Sequence, residues 1–202
     1  MQRGSSRARA ALSACYVIPG YPASLPALTP AEARFGVAPD IAGRYRDRGL
    51  ALSPEGEELG SAFLRDLLRG EARPDAAPPE GPERVVEVGV VDGVLEFHFW
   101  QDGEEVEAVR RREVRVERGE GADKQSYVGN KGFAVLPVGT TSAGDAGVGA
   151  VVIEEALWCR RAVDGSLIVL QRTVGVGLLV LAPVWGQNGV WYRFPPAHAP
   201  RS

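Results

Sequence analysis

Val163-Asp164-Gly165-Ser166-Leu167-Ile168-Val169-Leu170-Gln171-Arg172-Thr173-Val174, the Gly175/Gly177 pair, Leu178-Leu179-Val180-Leu181-Ala182-Pro183-Val184-Trp185 and Val190-Trp191-Tyr192-Arg193-Phe194 carry the densest β-branched and aromatic content in the chain. Such side chains fill a pleated, half-buried surface, and glycines between them mark turns. The stretch therefore reads as three strand-like runs joined by glycine turns. Leu167–Leu170 and Leu178–Ala182 are apolar on both faces of a strand. A strand buried on both faces favours a closed or half-closed barrel over a sandwich.

Upstream, Asp92-Gly93 is a two-residue hairpin signal. Taken as the turn, it pairs Val91 with Val94, Val90 with Leu95, Val88 with Phe97 and Val86 with Phe99, which places the last six on one face. Alternation and turn register agree, although each is read from different residues. A second turn at Asp102-Gly103 extends the meander and predicts Phe99 opposite Val106 and Phe97 opposite Ala108. Its other face carries Glu87, Glu96, His98, Trp100, Glu105 and Glu107, with His98 between Glu87 and Glu107. Arg110 to Arg118, interleaved with glutamates, reads as a solvated continuation of the third strand.

Working outward, Ile41–Arg46 reads as a first strand closed by Asp47-Arg48-Gly49. Ser61 reads as the N-cap of a helix whose stripe is Phe63, Leu64, Leu67 and Leu68 and whose stop is Gly70. Glu71–Glu83, with four prolines, is a loop. Ser126–Val128 and Gly132–Val138 read as strands around Asn130-Lys131, Gly139–Gly149 as a small-residue loop, and Ala150–Val163 with Ser166–Val174 as a hairpin across Asp164-Gly165. Pro195 to Ser202 reads as a tail. Residues 41–195 are thus expected to form one mainly β domain, an antiparallel meander of about eight to ten strands closing into a barrel or a sandwich, with one short helix.

The 202 residues suffice for one well-buried domain and a tail, with 45% apolar content, 25 glycines and 15 prolines suiting many turns. The net charge of −3 selects neither nucleic acid nor an anionic membrane as partner. Of the 23 basic residues only Lys124 and Lys131 are lysines. Two cysteines, Cys15 and Cys159, make neither a multi-bridge framework nor a cysteine zinc site. The longest apolar run, Leu167–Trp185, is broken by Gln171, Arg172 and Pro183, which argues against a spanning helix.

The amino-terminal residues hold Arg3, Arg7 and Arg9, then Ala10-Ala11-Leu12-Ser13-Ala14-Cys15. A basic start, an apolar patch and small residues before a cut are signal-peptide features. Leu12-Ser13-Ala14-Cys15 resembles the lipobox of small bacterial lipoproteins. The resemblance implies lipid attachment at Cys15, cleavage just before it, and, since Tyr16 is not the aspartate of inner-membrane retention, the periplasmic side of the outer membrane. The apolar patch is shorter than the usual core of about 7–15 residues, so an ordinary cysteine in an N-terminal arm is the alternative. Residues 15–40 contain Pro19, Pro22, Pro26, Pro30 and Pro39 and read as a semi-rigid tether. The Gly43-x-Tyr45 strand that follows is similar to those of the same lipoproteins.

For chemistry, His98 is the one candidate imidazole base, because His198 lies in the proline-rich tail. No Gly-x-Ser-x-Gly elbow exists. Glu87, His98 and Glu107 form the candidate polar cluster, either a cation or acid–base site or a surface ion pair. Gly144, Gly147 and Gly149 have the wrong order for a dinucleotide fingerprint. The arginine run lacks the interleaved aromatics of RNA platforms, so nucleic acid is not an expected partner. Cys159 reads as a buried small hydrophobe. No catalytic residue, metal or cofactor is assigned. The expectation is a non-catalytic, lipid-anchored envelope protein with a binding or structural role and a protein or small-molecule ligand. The alternatives are a soluble intracellular β interaction domain in the cytoplasm, or a metal-dependent hydrolase centred on His98.

Overall fold

A computed structural model describes residues 20–29, 41–72, 83–91, 94–111, 133–145, 149–179 and 182–197. Among these residues the fold is mainly β, with two antiparallel sheets and one short helix. The strands are β1 (Gly43–Arg46), β2 (Arg48–Leu52), β3 (Glu58–Phe63), β4 (Val85–Val91), β5 (Val94–Gln101), β6 (Glu104–Arg111), β7 (Ala134–Asp145), β8 (Gly149–Arg161), β9 (Leu167–Leu179) and β10 (Ala182–Phe194). The helix α1 (Leu64–Arg69) follows β3. The smaller sheet has the order β1-β4-β5-β6 and the larger β3-β2-β10-β9-β8-β7.

The β4–β5 register is the one that alternation demands: Val91 opposite Val94, Val90 opposite Leu95, Val88 opposite Phe97 and Val86 opposite Phe99. Asp92-Gly93 itself lies outside the described residues. Val86, Val88, Leu95, Phe97 and Phe99 are buried, while Val90, nearest the turn, is exposed. They face Leu136, Leu157, Cys159, Leu167, Val169, Tyr192 and Phe194 of the larger sheet, with Leu64, Leu67 and Leu68 of α1 in the same cluster. Cys159 is a fully buried free thiol pushed up to about 12 by burial.

Among the described residues no closed barrel is formed, since β3 and β7 are the two edges of the larger sheet. Leu167–Leu170 are indeed buried on both faces, but the second face is covered by residues 20–29. Leu25, with Tyr21 and Leu28, packs on Trp158, Ile168, Leu170 and Trp191, and Tyr21 meets the Trp191 ring edge-on at 5.1 Å. Thr29 N–H donates to the carbonyl of Arg161 at 3.1 Å and Val163 N–H to that of Ala27 at 2.8 Å. The described part of the expected tether is therefore a docked outer layer. Its prolines break regular structure, yet Leu25 and Leu28 still supply apolar surface worth burying. The tail is corrected likewise. Arg46 N–H donates to the carbonyl of Pro195 and Ala197 N–H to that of Arg44, each at 2.9 Å, so Pro195–Ala197 is pinned to β1.

Glycine misleads in three further places. Gly175 and Gly177 lie inside β9, and Gly186 and Gly189 inside β10, so the three expected runs are two thirteen-residue strands. A Cβ at Gly177 would collide with the carbonyl of Ala150 and come within 2.7 Å of Val151 Cγ2. Close strand approach, not a turn, is what that glycine serves. The small-residue loop is corrected too: β7 runs on to Asp145 and pairs with β8. The Asp164-Gly165 hairpin forms as expected. Its turn is closed by the Ser166 N–H on Asp164 Oδ1 at 2.9 Å, with Gly165 at φ 84°.

Asp47-Arg48-Gly49 is no turn either. Only Asp47 separates β1 in the smaller sheet from β2 in the larger, so the chain changes sheets there, forming a corner of the sandwich. Helix α1 starts later than expected because Ser61 lies within β3. Asp47 supplies the cap from a distance: its carbonyl accepts Leu64 N–H at 2.9 Å and its Oδ1 accepts Arg65 N–H at 3.2 Å. Gly70, at φ 74°, stops the helix as expected.

Candidate functional site

The outer face of the smaller sheet separates the expected polar cluster. Glu87 is opposite His98 as expected. On the other side Phe99 pairs with Glu107 and Trp100 with Glu105, which leaves Val106 as an extra residue in β6. A bulge of one residue reverses the faces of everything beyond it. Val109, not Ala108, comes opposite Phe97 and packs against the core. The expected pairings of Phe99 with Val106 and Phe97 with Ala108 are therefore replaced. Glu107 leaves the His98 side and accepts Arg69 Nη2 at 2.7 Å.

His98 instead sits between Glu96, 3.3 Å from Nε2, and Glu105, 3.3 Å from Nδ1. The hydrogen bond to Glu105 raises its pKa above the ordinary 6.5, partly offset by burial and reinforced by Glu96. Arg110 reaches Glu96 at 3.0 Å and Arg44 reaches Glu87 at 3.9 Å. This is a cross-strand ion network at a partly exposed surface, where such pairs contribute under about 1 kcal/mol each. Among the described residues no group of three His, Cys, Asp or Glu side chains is arranged to hold a metal ion.

A different place concentrates charge around open space. At the corner, where β1 gives way to β2, a cleft of about 780 Å³ is lined by Arg46, Arg48, Arg65, Arg84 and Arg193 together with Asp47, Glu58 and Glu83. Five arginines against three acids leave a formal excess of two positive charges. Arg46 meets Glu83 at 3.2 Å, Arg84 Nε donates to Gln101 Oε1 at 2.8 Å, and Arg193 Nη2 meets Asp164 at 2.7 Å. Arg65 approaches Asp47 at 3.8 Å and Asp66 at 3.4 Å. The side chain of Arg48, exposed at the start of β2, makes no ion pair or hydrogen bond among the described residues.

Compared with protein-family models, curated proteins and solved structures, the chain matches none. The cleft is thus read from its own chemistry. Asp47 is its pivot: it is buried, joins the two sheets and caps α1. Its Oδ2 is buried without a hydrogen-bond partner. Burial pushes the carboxyl up to about 6, against the opposing pull of the Arg65 N–H and guanidinium. Protonation there raises the positive excess in the cleft as pH falls below neutrality.

The site is not visible in the sequence, because its residues span Arg46 to Arg193 and converge only through the sheet topology. One signal was present: Arg44, Arg46 and Arg48 alternate along the chain, a period-two pattern that continues a strand through Asp47. Cys15 lies outside the described residues.

Proposed function

We propose that the chain is a non-catalytic, lipid-anchored protein of the bacterial cell envelope, and that its corner cleft binds an anionic ligand. The observation that carries the ligand class is the cluster of five arginines around one cleft, with Arg48 unpaired among the described residues. Guanidinium groups bind carboxylate and phosphate oxygens through paired, charge-assisted hydrogen bonds, and an unpaired guanidinium surrenders no partner on binding. The anchor reading is supported by Leu12-Ser13-Ala14-Cys15. With residues from Gly20 docked on the domain, an acylated Cys15 would hold the domain within about 17 Å of the lipid, at about 3.5 Å per extended residue.

Isothermal titration with inorganic phosphate and with citrate tests the cleft. Saturable binding is expected, weakened about tenfold or more by Arg48→Ala. Failure of both anions to bind, or an Arg48→Ala protein that binds as the parent does, contradicts the assignment. Incorporation of radiolabelled palmitate, lost in Cys15→Ser, is expected for the anchor; incorporation that survives the substitution, or none at all, contradicts it.

A further inference from the structure

The floor of the corner cleft has a polarity that the strand register imposes. Arg48, Leu50 and Leu52 alternate onto one face of β2. Their partners across the ladder are Phe63, Ser61 and Glu58 of β3. The register shifts between Ala51 and Leu52, so Leu59 is passed over and Glu58 takes the place opposite Leu52. An acid thereby joins the face that begins with an arginine, and both line the cleft, with Leu50, Ser61 and Phe63. The rows of Arg48 and Leu52 lie four residues apart along β2, or about 13 Å at 3.3 Å per residue.

Arg48 and Glu58 also differ from the other charged groups of the cleft. Arg46 pairs with Glu83, Arg65 approaches Asp47, Arg84 bonds Gln101 and Arg193 meets Asp164. The side chains of Arg48 and Glu58, both exposed, make no ion pair or hydrogen bond among the described residues. Strand β3 is moreover an edge of the larger sheet, and the open side of its backbone has no backbone partner among the described residues. Such an edge accepts an added extended chain through main-chain hydrogen bonds.

We propose that the ligand of the cleft is a short peptide with free ends, extended along β3 with its carboxylate at Arg48 and its ammonium at Glu58. The inference rests on the anion-binding reading above, to which it adds a second charge and a length. Three or four extended residues span about 10–14 Å at 3.3–3.6 Å each, which matches the separation of the two rows. Each end gains charge-assisted hydrogen bonds from the opposite charge. A chain so placed runs from Glu58 towards Phe63, parallel to β3. A plain anion such as phosphate engages one end only.

Isothermal titration of the full chain with tetra-alanine tests the proposal, with citrate as the reference anion. Saturable binding of tetra-alanine is expected, weakened about tenfold by N-acetylation and about tenfold by C-terminal amidation. Dialanine, too short to reach both charges, is expected to bind about tenfold more weakly as well. Glu58→Gln should weaken tetra-alanine about tenfold yet tighten citrate, which has no ammonium and loses a repelling carboxylate. If citrate binds through Arg48 while tetra-alanine fails to bind, or binds no better than its N-acetyl form, the peptide is overturned and the anion-binding reading stands. Tetra-alanine binding that Arg48→Ala leaves unchanged would sink both. Equal loss of both ligands in Glu58→Gln would give that residue a structural role and overturn the proposal.

Discussion

The two halves of the long strands β8 and β9 share register, pairing and backbone, yet have opposite surroundings. In the half near the Asp164-Gly165 turn, Leu157, Cys159, Leu167 and Val169 bury one face against the smaller sheet, and Trp158, Ile168 and Leu170 bury the other under residues 20–29. In the half near Val180-Leu181, Val152, Ile153 and Leu178 stand exposed. Hydrogen bonding alone does not distinguish them, since both halves pair without a break. The contrast locates the buried apolar surface, and with it the expected stability, in three stacked layers, while the other ends of the same strands stand outside them.

Truncations measure the contrast most strongly. Leu170→Ala is expected to cost about 2–5 kcal/mol in denaturant unfolding, and Leu178→Ala to stay within about 0.5 kcal/mol. Equal costs would erase the distinction. The covered half also penalises charge at its corner. Asp47 has a carboxyl raised to about 6 from an ordinary 3.8. The folded state thus holds this proton more tightly than the unfolded one, so the stability linked to Asp47 falls as pH rises from about 4 to 6. Asp47→Asn keeps an oxygen for the Arg65 N–H and is expected to be more stable than the parent at pH 8 by up to about 3 kcal/mol, with little difference at pH 4. A parent more stable at pH 8 would mean that the Arg65 pairing outweighs burial. Leu25→Ala is expected to cost about 2 kcal/mol, and no cost at all would return residues 20–29 to the role of a free tether.

Legibility in the sequence followed how many local constraints met at one place. The β4–β5 register was readable because the Asp92-Gly93 turn and the Val86-to-Phe99 alternation had to agree. The β5–β6 register was not, because Glu105-Val106-Glu107-Ala108 alternates without a break, so a bulge at Val106 leaves no mark there, and the bulge takes Glu107 away from His98. The glycines of β9 and β10 resemble turns in the sequence because close strand approach and chain reversal both select glycine. Burial on both faces of Leu167–Leu170 is legible in the sequence, but the layer that covers the second face is the proline-rich segment and not a barrel wall. The cleft was illegible for a simpler reason: Arg48, Arg84 and Arg193 have no sequence relation until the sheets form.

Native-state hydrogen exchange along β8 and β9 tests the central contrast most directly. Amides of Leu167–Gln171 and Leu157–Arg161 are expected to exchange only through global unfolding, and those of Val174–Leu178 and Val151–Glu155 at least about a hundredfold faster through local opening. Uniform protection along both strands, through to the Val180-Leu181 end, would contradict the account.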